Sequence, residues 1–347
     1  MLHIIAKKFP SSSYIVSAVY DWIAFILAPL ISLTLGMAIA YDIITNQTIS
    51  LGRFEGELWL YIVLVMTQAH LLITGIRAYG NQKIYALFRK RVLFGPPLLF
   101  LGNLLSPIFL TFSIVLNVAW DAYHSSLQTF GFTRLYDVRV GNYSPKIRML
   151  DRFLNLLIYA GPILGVVTLL AQIDLMKEGP LLIETLFFKN IPFYVNLFAR
   201  DILITILAIA AVFIPYYIYI VWQESKTYPV SFQKVAILIL TAMVSILAWG
   251  FNTFGVAFLI MNFFHVWQYF AMVYWSERSV IMKRFNLSSR VGIALIFFLL
   301  CLFTIITAVL EILTVGVHLI VVFYTTLTTC HFWFDGFIWS VKKQHIK

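Results

Sequence analysis

Apolar stretches long enough to cross a bilayer recur along the whole of this 347-residue chain. A spanning helix needs about 20 predominantly apolar residues. Such stretches fall at roughly 15–41, 58–77, 91–105, 106–131, 151–173, 201–223, 232–250, 251–276, 291–310 and 314–341. Only 12% of the residues are charged and 61% are hydrophobic, whereas a soluble domain is about 25% charged. The expected fold is therefore an all-α, polytopic integral membrane helical bundle of about ten transmembrane helices. It should form a single transmembrane domain over residues 1–347. The third stretch is short and carries Pro96 and Pro97, which marks it as a broken or re-entrant helix. The segment 178–201, EGPLLIETLFFKNIPFYVNLFARD, is amphipathic and is expected to lie at the interface.

The formal net charge of +10 does not point to nucleic acid, because the cations fall between the apolar stretches. Arg77, Lys83, Arg89, Lys90 and Arg91 follow the second stretch. Arg134, Arg139, Lys146, Arg148 and Arg152 follow the fourth, and Arg278, Lys283, Arg284 and Arg290 follow the eighth. The segment 42–57 instead carries Asp42, Glu55 and Glu57 against Arg53. Basic loops stay on the cytoplasmic side, and with ten spans every one of them falls on that side together with both termini. The expected location is multi-pass in a bacterial inner membrane. The loop 134–152 should meet anionic lipid headgroups. The opening residues hold no small-residue cleavage site of the secretory type. Cys301 and Cys330 lie in apolar runs and form neither a disulfide framework nor a zinc motif.

Histidine carries the chemical signal. His70, His124, His265 and His331 lie on the second, fourth, eighth and tenth stretches, which all run outside to inside under the charge rule. Each precedes its basic end by seven to thirteen residues, on the order of 10–20 Å of helix. Four imidazoles at similar depth on parallel helices are expected to converge. Ionisable groups in a membrane are expensive and face a bundle interior or a cavity, and neutral imidazole is the commonest metal ligand.

Polar neighbours share the same helical faces. Asp121 and Gln128 flank His124 at i−3 and i+4, Gln268 follows His265 at i+3, and Asp335 follows His331 at i+4. A carboxylate or amide at the second ring nitrogen fixes a ligating histidine's tautomer, so Asp121, Gln128, Gln268 and Asp335 are candidate supports or additional ligands. A single such histidine would more simply hold helices together by a hydrogen bond worth about 0.6 kcal/mol. His318, near the outer end of the last stretch, is read that way. Trp120, Tyr123, Trp267, Tyr269, Trp333 and Trp339 crowd around the histidines and suit the lining of an apolar substrate cavity. No phosphate loop, dinucleotide fingerprint or Ser-His-Asp signature is present.

The segments QAHLLITG, DAYHSSLQ, NFFHVWQYF and CHFWFD, in this order and spacing, resemble the Brp/Blh family of bacterial membrane β-carotene 15,15'-dioxygenases. The resemblance covers roughly residues 58–341. It implies a helical bundle whose separated histidines, here His70, His124, His265 and His331, hold a non-haem iron that cleaves an apolar polyene with dioxygen. The chain departs from the family pattern in three places. Around Gln68-Ala69-His70 the family's Pro, Gly and following Asp are all missing, His124 is followed by Ser125 and Gln128, and Gln268 and Tyr269 stand where a second histidine is usual.

The expected function is thus a membrane-embedded Fe(II) protein, an oxygenase acting on an apolar lipid or carotenoid-like substrate. Zinc or haem are the other cofactors considered, and the partners are membrane lipids and an apolar small molecule. The rival expectation is a transporter or a membrane-complex assembly protein whose histidines carry protons or fix helices.

Overall fold

The computed structural model describes residues 13–40, 43, 48–51, 54–165, 198–252, 254–284, 286, 302, 305–306, 309 and 318–339. Among these the chain is helical apart from one short hairpin. The helices are α1 (Ala18–Asp21), α2 (Ala28–Ala40), α3 (Leu58–Gly75), α4 (Gln82–Leu105) and α5 (Pro107–Arg139). They continue with α6 (Pro145–Gly165), α7 (Ala199–Glu224), α8 (Phe232–Phe251), α9 (Phe254–Arg284) and α10 (His318–Ile338). Single π-turns follow α1 at Trp22–Ile26 and α3 at Ile76–Gly80. The hairpin pairs β1 (Thr48–Leu51) antiparallel with β2 (Phe54–Glu57), within the acidic segment 42–57.

Among the described residues, three helices are long and apolar enough to cross a membrane: Arg200–Glu224, Phe232–Phe251 and Val256–Val280. The pair Ala18–Ile26 and Ala28–Ile39 passes the same test together but is bent by 48°. Pro96 and Pro97, where the third stretch is expected to break, lie inside α4, and the backbone leaves the helical region instead at Phe88, before that stretch begins. The expected span at 291–310 and most of the segment 178–201 lie outside the described residues.

The starts of the helices follow from local chemistry. Ser106 and Ser144 each precede a proline, and their hydroxyls accept from the backbone N–H of Phe109 (3.2 Å) and Ile147 (3.3 Å). Proline fits the first helical position because its missing donor would be unpaired there in any case. Asn81 caps α4 by accepting from Lys83 and Ile84 (3.2 and 3.3 Å), and Ser231 caps α8 by accepting from Lys234 (3.3 Å).

The chain divides into two compact units. The first comprises residues 1–38 and 121–265. Its apolar core joins Ala28, Ile158, Tyr159, Val244, Trp249 and Phe264, among others. A Cβ on Gly36 would stand 2.3 Å from Ile260 Cγ1, so only glycine lets α2 approach α9 this closely. Beside this core lies a buried ionic network. Lys234 Nζ donates to Asp137 (2.9 Å) and Asp151 (2.6 Å), Arg134 donates to Asp137 (2.8 Å), and the Tyr217 hydroxyl donates to Asp151 (2.7 Å). Burial pushes the Asp137 carboxyl up to about 6, with Lys234 pulling the other way.

The second unit comprises residues 39–120 and 266–347. Here α10 packs on α4 through Phe88, Val92, Cys330, Phe334 and Ile338. Polar contacts join α10 to α4 and also to α5. Asn103 donates to the Thr326 hydroxyl (2.9 Å), Asn117 donates to the Thr325 carbonyl (3.1 Å), and the Thr329 hydroxyl donates to Asn117 (3.0 Å). Such asparagine and threonine contacts join helices where no hydrophobic force acts between them.

Arg77 and Glu277 form a buried ion pair. Arg77 also donates to the Ile338 carbonyl (3.3 Å) and lies 4.0 Å from the centre of the Trp339 ring. Arg77 and Arg134, counted from sequence as loop cations, are therefore structural and largely desolvated.

Candidate metal centre

Each unit places two of the four histidines side by side. In the second unit α3 carries His70 and α10 carries His331, with ring centres 4.3 Å apart. In the first unit α5 carries His124 and α9 carries His265, with ring centres 5.1 Å apart. All four side chains are buried. Two imidazoles on one ion, with metal–nitrogen bonds of about 2.0–2.1 Å, put their ring centres roughly 4.5–5.2 Å apart for angles between 90° and tetrahedral. Both pairs are close to that spacing. Axial histidines on opposite faces of a haem would instead be about 6 Å apart by the same bond lengths, so neither pair is spaced for such a haem.

His70, His124 and His331 form a buried group that could hold a metal ion. His265 packs against His124 within the first unit. His318 is exposed at the start of α10, thirteen residues and therefore about 20 Å of helix from His331.

The surroundings of His331 are the most fully specified. Its Nδ1 lies 2.6 Å from the Thr74 hydroxyl, which lies 2.7 Å from the Tyr269 hydroxyl. Tyr269 donates to Asp335 Oδ1 (2.8 Å). Trp339 Nε1 lies 3.2 Å from both the Tyr269 hydroxyl and Asp335 Oδ1. The other carboxylate oxygen, Asp335 Oδ2, is 3.9 Å from His331 Nε2. The Tyr269 ring also stands edge-on to His70, with centres 4.5 Å apart. Asp335 thus stands where it can support His331 or share an ion with it.

The remaining polar candidates have different surroundings. The Gln128 side-chain amide donates to the backbone carbonyl of His265 (2.9 Å), tying α5 to α9 beside the His124–His265 pair. Gln268 is fully buried, and Asp121 is half-buried on α5. Trp267 is exposed, whereas Tyr269 is buried among the histidines and Trp333 packs on Gly95 of α4. Tyr269, expected from sequence only as a cavity-lining aromatic, is hydrogen-bonded into the site, and Thr74 joins it with no compositional warning in the sequence. Thr74 sits four residues after His70, and Trp339 four residues after Asp335, which is the spacing of one helical face.

A scan against family models, a search of curated proteins and a search of solved structures all return no match.

Proposed function

We propose that this chain is a membrane-embedded metalloprotein that binds one first-row transition ion through His70, His124 and His331, with His265 completing the set. The observation that carries it is the buried group of three imidazoles that could hold an ion, in a chain whose described residues include three helices apolar enough to cross a bilayer. Histidines buried inside an apolar helical bundle are costly and require a partner. A bound cation is a partner that several neutral imidazoles can satisfy together.

Iron(II) is our assignment for the ion. Imidazoles with an adjacent carboxylate and open coordination positions suit non-haem iron, and the likeness to the Brp/Blh segments points the same way. The substrate class would be an apolar molecule dissolved in the bilayer, and a carotenoid is the first to test with dioxygen.

The test is elemental analysis and an optical spectrum of detergent-purified protein. The expected result is about one metal ion per chain with the open-site chemistry of non-haem iron, no Soret band, and sharply less metal in His70→Ala, His124→Ala and His331→Ala. A purified chain with no metal, or variants that keep full metal, would overturn the proposal. A Soret band would replace it with a haem protein.

A further inference from the structure

The contacts of His331 fix more than its position, because hydrogen bonds have a direction. Counting hydrogens from the far end gives that direction. Beside a bound cation Asp335 is a carboxylate and can only accept. Its Oδ1 takes the single hydroxyl hydrogen of Tyr269 (2.8 Å). Trp339 Nε1 can only donate, and it points at the same oxygen and at the Tyr269 oxygen (3.2 Å each). With its own hydrogen committed, Tyr269 must accept from Thr74 across 2.7 Å. The Thr74 hydroxyl has then given away its only hydrogen, so across 2.6 Å it can only accept from His331 Nδ1.

A neutral imidazole carries one N–H. If Nδ1 holds it, Nε2 has the free lone pair. We infer that the hydroxyl chain Thr74–Tyr269, ended by Asp335 and Trp339, holds His331 as the Nδ1–H tautomer and so presents its Nε2 as the metal ligand. This rests on the metal proposal above and goes beyond it, because it names two positioning residues and the ligating atom. The chain spans α3, α9 and α10, so the tautomer is set by tertiary packing. Nε2 is also the nitrogen that faces Asp335 Oδ2, at 3.9 Å. A cation of ordinary bond length, about 2.0–2.2 Å to nitrogen or oxygen, fits between the two. The same carboxylate that ends the chain could therefore also share the ion.

Hydrogen-bond partners of ligating histidines typically change metal affinity by about 10–100-fold. The test uses the full chain in detergent, stripped of metal and titrated with Co(II) against a competing chelator, with the visible Co(II) band recorded. Tyr269→Phe keeps the ring and removes the hydroxyl, and Thr74→Val keeps the shape and removes the hydroxyl. Both are expected to weaken Co(II) binding by about 10–100-fold and to shift the band. Thr74→Ser restores the hydroxyl and should bind within a few-fold of the parent. A role in helix packing alone would instead track the lost methyl group, making Thr74→Ser the weaker binder. If Tyr269→Phe and Thr74→Val bind Co(II) like the parent, or if Thr74→Ser is as weak as Thr74→Val, the tautomer proposal is wrong while the metal proposal stands. If the parent chain binds no Co(II), both fall.

Discussion

His265 and His318 are the same residue type on apolar helices, yet they should behave oppositely. His265 is buried against His124 with ring centres 5.1 Å apart, a spacing that suits two ligands of one ion. His318 is exposed about 20 Å along α10 from His331. His265→Ala should therefore lower bound metal, and His318→Ala should leave it unchanged. Gln268→Ala, which removes a fully buried amide one turn beyond His265, should have a smaller effect, since residues behind the ligands act at about the 10–100-fold level. Elemental analysis of the three proteins decides. Equal metal in His265→Ala and His318→Ala would remove His265 from the ligand set.

At the scale of the elements, polar side chains decide which helices meet. Lys234 on α8 bridges Asp137 at the end of α5 and Asp151 on α6, and all three are buried. Removing one partner of a buried ion pair leaves an uncompensated charge and costs about 3–5 kcal/mol. Lys234→Met should accordingly lower thermal stability strongly, even though Arg134 still reaches Asp137. Lys146→Ala is the control. Its side chain is 71% exposed and 3.6 Å from Glu224, and an exposed pair of this kind contributes about 0–1 kcal/mol. Melting curves in the same detergent should separate the two clearly, and matching curves would show that the α8 contact is not a buried ion pair.

This network also marks where sequence reading stops. Lengths of apolar run and the Ser-Pro helix starts can be read from the chain, and four of the candidate histidines were found because few ionisable residues fall in apolar runs. Lys234, Arg77 and Glu277 give no such warning, because their partners are distant in sequence: Asp151 lies 83 residues from Lys234, and Glu277 lies 200 from Arg77. Thr74 was overlooked for a different reason. Threonine is cheap in a membrane helix, so it gives no compositional warning. Only its spacing from His70 hints that it faces the same way. Hydrogen-bond direction, on which the His331 tautomer depends, is invisible until the partners of Tyr269 are known.

For the molecule as a whole, the open structural quantity is the path of the chain through the bilayer. Among the described residues three helices are long and apolar enough to span it, and the runs of apolar sequence over the full chain allow about ten crossings. The charge rule counts Lys and Arg near the ends of apolar segments. Arg77 and Arg134 weaken as markers now that they are buried, but Lys83 and Lys226 remain exposed. Under the ten-span arrangement both face the cytoplasm, and Ile43, which is 78% exposed and belongs to the acidic segment 42–57, faces outward. The prediction can be checked in a background with Cys301 and Cys330 replaced by serine. Cysteine at position 43 should react with a membrane-impermeant maleimide in intact cells. Cysteine at position 83 or 226 should react only after permeabilisation. In the ten-span arrangement, which puts His70, His124, His265 and His331 on helices of one direction, one crossing separates position 43 from position 83 and five separate it from position 226, both odd counts. External labelling at 83 with protection at 226 would therefore break the shared direction of those helices, and with it the argument from depth that first set the four histidines together.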